Sequence, residues 1–364
     1  MRLEWLELRN FRNHARTRLD DVATGLIVVV GPNGEGKTNL LEGIFFLYAL
    51  RSPRASTNAP LVRDSAEVAY ARGEFSTAAG RALVEAEIPA RGASRVQLNG
   101  SPVRRKRELR RQVRAVLFGP FDLPVVVGDP SKRRDFMDEA LTALWPLRDG
   151  VTSAYDRALR QRNRLLKEWE GRGAPDDLEV WDEELVRTGV PLIEARSEVV
   201  ARIGATASEE FERLAGYGLV VDYAPNVTAP GNSIEASFRA QLATRRADEL
   251  VRRTSLVGPH RGDLTLAVRD LGARAFGSHG ETWAAALCLR LGLAAAVEVE
   301  AGEPPLLLVD DPFSALDPSR RDRIAERLAG RSGQVVISVA DEADVPPAPS
   351  ATWAVRDGTV TVRR

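Results

Sequence analysis

The chain has 364 residues, 44% apolar and 28% charged, and its 51 basic residues balance 51 acidic ones. That is enough chain for roughly two or three domains with a large buried core, and the neutral balance excludes a protein that holds nucleic acid by overall basicity. One cysteine, Cys288, and three histidines exclude an intrachain disulfide and a structural zinc site, and suit a reducing compartment.

Met1-Arg2-Leu3-Glu4-Trp5 lacks the pattern of a signal peptide, and no apolar span of 18 residues is expected, so the expectation is a cytoplasmic protein. Strands are predicted at 2–8 and 26–30, and shorter ones at 67–75, 82–88 and 95–98, the last turning at Asn99-Gly100. Ala115–Phe118 reads as a buried strand ended by Gly119-Pro120. From about Ser131 to about Ala215 the texture is charged and helical. Two long helices, roughly 131–170 and 176–215, are separated by Gly171-Arg172-Gly173-Ala174-Pro175, with Asp176 and Asp177 as candidate caps. Leu159, Leu165, Leu166 and Trp169, then Leu185, Leu192 and Ile193, recur at helical spacing, which predicts an antiparallel hairpin. A strand at 219–223, a helix near 233–252, a strand at 264–268 and a helix over about 280–300 holding Cys288 in the core follow. Buried strands at 305–309 and Val335–Val339, a surface loop at 343–350 and a terminal hairpin turning at Asp357-Gly358 complete the chain. The expected fold is α/β: a nucleotide-binding head in two parts, 1–125 and 256–364, split by a helical insertion over 126–255.

The most specific motif is Gly31-Pro32-Asn33-Gly34-Glu35-Gly36-Lys37-Thr38, which fits the pattern G-x-x-x-x-G-K-[ST] between an apolar strand and a helix beginning near Asn39. The glycines let backbone N–H groups curl around a phosphate chain, and the helix adds its positive end. Lys37 can reach the β- and γ-phosphates of ATP, and the Thr38 hydroxyl can ligate Mg²⁺. Later, the apolar run Leu306-Leu307-Leu308-Val309 ends in Asp310-Asp311. Asp310 suits the Mg²⁺ shell beside Thr38, and Asp311 suits orienting or deprotonating a water, which with Lys37 makes the catalytic pair.

Asp310-Asp311-x-x-Ser314-x-Leu316-Asp317 resembles the Walker B strand and D-loop of ABC-type ATPases. Ser278-His279-Gly280-Glu281 resembles their signature loop, which implies that Ser278, Gly280 and Glu281 face the γ-phosphate held by a second subunit. Leu6-Glu7-Leu8-Arg9-Asn10-Phe11-Arg12-Asn13 is similar to the start of RecF and SMC-like heads. Gly258-Pro259-His260-Arg261-Gly262-Asp263 and Pro130-Ser131-Lys132-Arg133-Arg134-Asp135-Phe136-x-Asp138 also resemble the RecF family, and the likeness spans 2–340 in order. It implies an ABC/SMC-like ATPase head with a helical lid that binds ATP and Mg²⁺ and pairs with a second copy around two nucleotides. It also implies a clamp on duplex DNA at gaps and single/double-strand junctions, a weak DNA-stimulated ATPase, and help in loading the RecA recombinase with RecR and RecO during DNA repair, replication restart and the SOS response. By the same likeness Arg12 would touch the base or ribose, the segment 118–123 would be the Q-loop, and His260 and Arg261 would lie near nucleotide or DNA unless they only shape a loop.

Three departures stand out. His279 replaces a small signature residue, Asp311 is one methylene shorter than the transporter glutamate and implies slow hydrolysis, and Val339 or Ala340 stands where transporters carry a switch histidine. Two rival readings are an ABC transporter ATPase subunit and a nucleotide-sensing scaffold without DNA contact.

Nearly all basic residues are Arg, whose guanidinium fork grips phosphate. Between 104 and 134 stand Arg104, Arg105, Lys106, Arg107, Arg110, Arg111, Arg114, Lys132, Arg133 and Arg134 against Glu108, Asp122 and Asp129. This local excess predicts contact of Arg104, Arg105, Lys106, Arg107, Arg110 and Arg111 with the DNA backbone. No aromatics interleave, so base readout is not expected. Arg157, Arg160, Arg162, Arg164 and Lys167 form a second basic patch.

Overall fold

The computed structural model describes residues 1–171, 174–229, 231, 233–269, 271–314 and 316–363. Arg172 and Gly173 of the expected helix break, and Ala315 of the expected D-loop, lie outside the described residues.

The strand Leu26–Val30 sits in the middle of a six-stranded sheet in the order Thr359–Arg363, Ala351–Arg356, Leu26–Val30, Val335–Val339, Leu306–Asp310, Ala115–Phe118. All neighbours are parallel except the terminal hairpin. Side chains on a strand alternate between faces, and here both faces are covered, which is why these strands read as unbroken apolar runs. Val28, Val30, Leu307, Val309 and Ile337 enter one core, shared with the helix His279–Ala301 and the helical insertion. Ile27, Val29, Leu306, Leu308 and Val336 enter the other, shared with the helix Lys37–Ala49 and a second sheet.

That second sheet is antiparallel, ordered His14–Leu19, Arg2–Phe11, Val68–Thr77, Gly80–Pro89, Arg95–Leu98, Ser101–Pro102. Asn99 and Gly100 take φ of 51° and 76°, and Asp357 and Gly358 take 49° and 69°, the left-handed pair that a two-residue hairpin turn demands. The strand His14–Leu19 and the helices Lys106–Gln112 and Pro318–Ala329 were not anticipated.

The expected helix over 131–170 is in fact Pro130–Leu144, a turn at Pro146–Arg148, and Gly150–Glu168. Pro146 causes the break. Its ring disfavours α geometry in the residue before it, and Trp145 takes φ −124°, ψ 79°. The partner helix runs Leu178–Ala215, with Asp177 at its N-cap position but without a side-chain cap bond. Arg162 pairs with Asp182 while Tyr155 packs beside Gly189, so the two helices run antiparallel. Arg162 is not part of a surface patch. It is fully buried and donates to Asp182, Glu249 and Ser255 at 2.6–2.7 Å.

Contrary to the sequence expectation, one helix, His279–Ala301, is long and apolar enough to cross a membrane by length and composition, and 83% of its most apolar window is buried inside the molecule. Its Cys288 is buried in the core, as expected.

Candidate nucleotide site

The phosphate loop lies between the strand Leu26–Val30 and the helix Lys37–Ala49. Gly36 takes φ 114°, a conformation side chains rarely adopt, and a Cβ there would meet the Asn13 amide at 2.6 Å. Gly31 lies so close to the terminal hairpin that a Cβ would meet the Val355 carbonyl at 2.3 Å. The loop is therefore held from two sides. The Asn13 amide donates to the Glu35 carbonyl at 2.9 Å and its oxygen accepts from Asn39 at 2.8 Å. Buried His14 has its ring nitrogens within hydrogen-bond distance of the Gly36 and Gly358 carbonyls. The Glu35 carboxylate accepts from the Asp357 backbone N–H, and its carbonyl from Gly358 N–H at 3.0 Å, so this side chain faces the hairpin.

Lys37 reaches back over the loop, its Nζ donating to the Gly31 and Pro32 carbonyls at 2.5 and 2.9 Å. Burial lowers its pKa, while Asp310, Asp311 and Glu35 pull it back up. Asn33, Gly34, Gly36, Lys37, Thr38 and Asn39 line a cavity of about 290 Å³ together with Asp310 and Asp311. Asp310, at the end of its strand and almost fully buried, accepts from Thr38 Oγ1 at 2.7 and 2.9 Å. A hydroxyl and a carboxylate this close form a hard-oxygen donor set of the kind Mg²⁺ takes, beside a cationic loop shaped for phosphates. Asp311 takes φ 53°, in the left-handed region, so the backbone turns sharply at the strand end and brings Asp311 to the cavity wall. Burial raises its pKa, Ser314 lowers it, and Asp310 adds to the rise.

Sequence reasoning missed two cavity residues, Ser338 and Arg54. Ser338 stands directly across the parallel register from Asp310, donates to it at 2.6 Å and accepts from Asp311 N–H at 3.0 Å. It therefore fixes the Asp310 carboxylate and the Asp311 backbone, and its only sequence signal is a lone polar residue in a buried strand. Arg54 lines the cavity and donates to Asn39 at 2.5 Å and to Glu42. Pro120, within the expected Q-loop, also lines it, and Ala340 stands there in place of a switch histidine.

Arg12 is not among the cavity-lining residues. Its guanidinium donates to both oxygens of Glu42 at 2.9 Å and to the Pro60 carbonyl at 2.7 Å, because a buried carboxylate beneath the loop helix needs a partner. Burial alone would raise the Glu42 pKa, but Arg12, Ser52 and Arg54 hold it below the usual value.

Nor do Ser278, Gly280, Glu281, Ser314, Leu316 or Asp317 line the cavity of their own chain. Ser278 caps the helix His279–Ala301 in a reciprocal box, accepting from Glu281 N–H at 3.3 Å while the Glu281 carboxylate accepts from Ser278 N–H at 2.8 Å. Asp317 caps Pro318–Ala329 through Arg320 N–H, Leu316 is buried, and Ser314 is exposed. The Ser278 and Asp317 caps thus lie outside the cavity of their own chain, while Ser314 reaches Asp311 at its wall.

His260 packs inside the insertion. Its Nε2 lies 3.1 Å from the Ser255 carbonyl, which can only accept, so Nε2 carries the proton and Nδ1 accepts from the Tyr155 hydroxyl at 2.6 Å. Arg261 donates to the same carbonyl at 3.3 Å, so this loop is held as a structural joint rather than at the cavity. Burial holds the His260 pKa down at about 4. The folded form therefore excludes a proton that the unfolded chain accepts below about 6.5. This part of the stability is complete above that value and is lost as pH falls toward 4. The urea midpoint should drop between pH 7 and pH 4.5, and His260→Asn should flatten that drop. An identical pH dependence in the variant would contradict this role.

The basic run is smaller than its count suggests. Arg114 is buried against the Ala143 carbonyl at 2.6 Å, Arg133 is buried in a bidentate pair with Asp263 at 2.6 and 2.9 Å, and Arg134 donates to the Gly262 carbonyl. Arg104, Arg105, Lys106 and Arg111 are exposed, with Arg107 and Arg110 half-buried.

A phosphate loop, a paired Thr38 and Asp310, an adjacent Asp311 and a Ser278 helix cap outside the cavity define an ATPase head of the ABC/SMC class. The family model described as the RecF/RecN/SMC N terminal domain matches residues 2–352, and the DNA replication and repair protein RecF of Streptomyces avermitilis is 39% identical over 373 residues, 99% of each chain. The chain belongs to the RecF family of DNA replication and repair proteins. A solved structure of the recombination mediator protein RecF-ATP in the RecFOR pathway superposes with a TM-score of 0.89 at 28% identity, covering 100% of this chain and 97% of that one. An SMC head domain from Pyrococcus furiosus, bound to the C-terminal domain of ScpA, shares the fold at a TM-score of 0.56 and 16% identity, covering 99% of this chain and 95% of that one.

Proposed function

We propose that this chain is an ATP-operated DNA clamp of recombinational repair and replication restart. It binds ATP with Mg²⁺ and pairs with a second copy through the terminal phosphate. The observation that carries this reading is the division of the site. Lys37, Thr38, Asp310 and Asp311 share one cavity, while the Ser278 cap of the same chain does not line it. A γ-phosphate on Lys37 would be completed by Ser278, Gly280 and Glu281 of the other copy, with Ser314, Leu316 and Asp317 alongside. Helix N-terminal N–H groups favour such an anion. Thr38 and Asp310 would hold Mg²⁺, which would supply neutralisation of phosphate charge. Asp311 accepts the proton of the attacking water, and departure of the γ-phosphate then opens the pair. Hydrolysis is slow and serves as a switch stimulated by DNA. The family relationship sets aside the transporter alternative.

The working site is a gap or single/double-strand junction in the cytoplasm, with RecR- and RecO-type mediators as partners and loading of the RecA recombinase as the outcome. The exposed guanidinium groups of Arg104, Arg105 and Arg111, with Lys106 and the half-buried Arg107 and Arg110, contact the DNA backbone. Reversing Arg104 and Arg105 to Glu should flatten the log–log salt dependence of ATP-linked DNA binding by roughly one unit for each phosphate left unneutralised. Anisotropy at several salt concentrations reads this directly, and an unchanged slope would exclude that face.

A further inference from the structure

The two elements assigned to the partner's nucleotide are joined within one chain by a side chain that belongs to neither. Tyr217 follows Gly216, the left-handed cap at the end of the 38-residue insertion helix. Its hydroxyl donates to Glu281 Oε1 at 2.6 Å, and the other oxygen of that carboxylate takes the Ser278 N–H at 2.8 Å. The same hydroxyl accepts from Arg320 at 3.4 Å, and Arg320 pairs at 3.4 Å with Asp317, the cap of the D-loop helix. The Arg269 guanidinium lies over the tyrosine ring, 3.8 Å from its centroid, and 3.8 Å from Glu281. The ring also packs edge-on against buried Phe211 of the insertion helix. Both Glu281 oxygens are thus committed, one to the signature cap and one to the base of the insertion.

We propose that Tyr217 is a positioning residue that fixes the signature cap relative to the D-loop cap, so that the helical insertion sets how well one copy receives the nucleotide of the other. This rests on the ATP-dependent pairing proposed above. A shift of the insertion helix at its last turn moves the phenol, releases the Glu281 carboxylate and loosens the Ser278 cap without touching the phosphate loop. The insertion thereby gains control over pairing while ATP binding within each copy stays independent of it.

Tyr217→Phe keeps the ring, its cation–π contact and its packing, and removes only the hydroxyl. Hydrogen bonds to charged groups of this kind are the stronger ones, so the dimerisation constant in ATP should weaken by on the order of tenfold. Fluorescent-ATP affinity, measured at protein concentrations too low for pairing, should be unchanged, while the unfolding midpoint should fall slightly from the loss of one partly buried hydrogen bond. Turnover at saturating protein should approach wild type, with the protein concentration for half-maximal turnover raised by the same factor. A Tyr217→Phe protein that pairs as tightly as wild type overturns the inference. So does one whose weaker pairing comes with an equal loss of single-copy ATP affinity. If the wild-type chain itself fails to pair in ATP, the pairing reading falls first and takes this inference with it.

Discussion

Lys37→Ala should weaken ATP binding by on the order of a hundredfold or more and abolish ATP-dependent pairing in the same protein. The ammonium is the loop's own counter-charge. It is largely buried, folded back on the Gly31 and Pro32 carbonyls, and faces Asp310 and Asp311. Removing it leaves two carboxylates facing the phosphates with no side-chain cation but Arg54 among the described cavity residues. Fluorescent-nucleotide titration reads the first effect and light scattering the second. Pairing that survives the loss of ATP affinity would separate dimer formation from nucleotide and contradict the switch.

Asp311→Asn should do the opposite to the pair. The amide keeps the shape and cannot accept the proton, so turnover should fall by on the order of a hundredfold to ten-thousandfold. ATP affinity should hold, and the dimer should accumulate. The geometry supports the separation, because Asp311 is tied through its backbone N–H to Ser338, while Asp310 holds Thr38. Single-turnover hydrolysis and gel filtration in ATP distinguish the two effects. Normal turnover in the variant would remove Asp311 from its assigned role.

The parts of this protein that were readable from sequence are those whose physics is local. The glycine pattern of the phosphate loop, the apolar strands, and the left-handed turns at Asn99-Gly100 and Asp357-Gly358 each state their own geometry. Asp310 and Asp311 were readable because a buried strand that ends in two acids after a phosphate loop has few other uses. What escaped came from tertiary pairing. Ser338 matters only because the parallel register sets it across from Asp310. His14 sits in a strand of mostly polar residues, His-Ala-Arg-Thr-Arg-Leu, whose alternation gives little apolar signal. Arg162 looked like a surface charge, since its buried partners Asp182 and Glu249 lie 20 and 87 residues away. The sequence does not show that Arg12 pairs with buried Glu42, thirty residues on, because that contact exists only once the loop helix packs beside it. The break at Pro146 is legible as a proline, but the charged helical texture continues on both sides of it and masks the break.

The central claim is that the last phosphate of ATP joins two copies of this chain around DNA. Sedimentation velocity of the protein with ATP, with ADP and with neither, each with and without duplex DNA, tests it most directly. The expected result is a dimer in ATP alone, with DNA travelling in the dimer boundary. An identical mass under all three conditions, or a dimer as strong in ADP as in ATP, would contradict it.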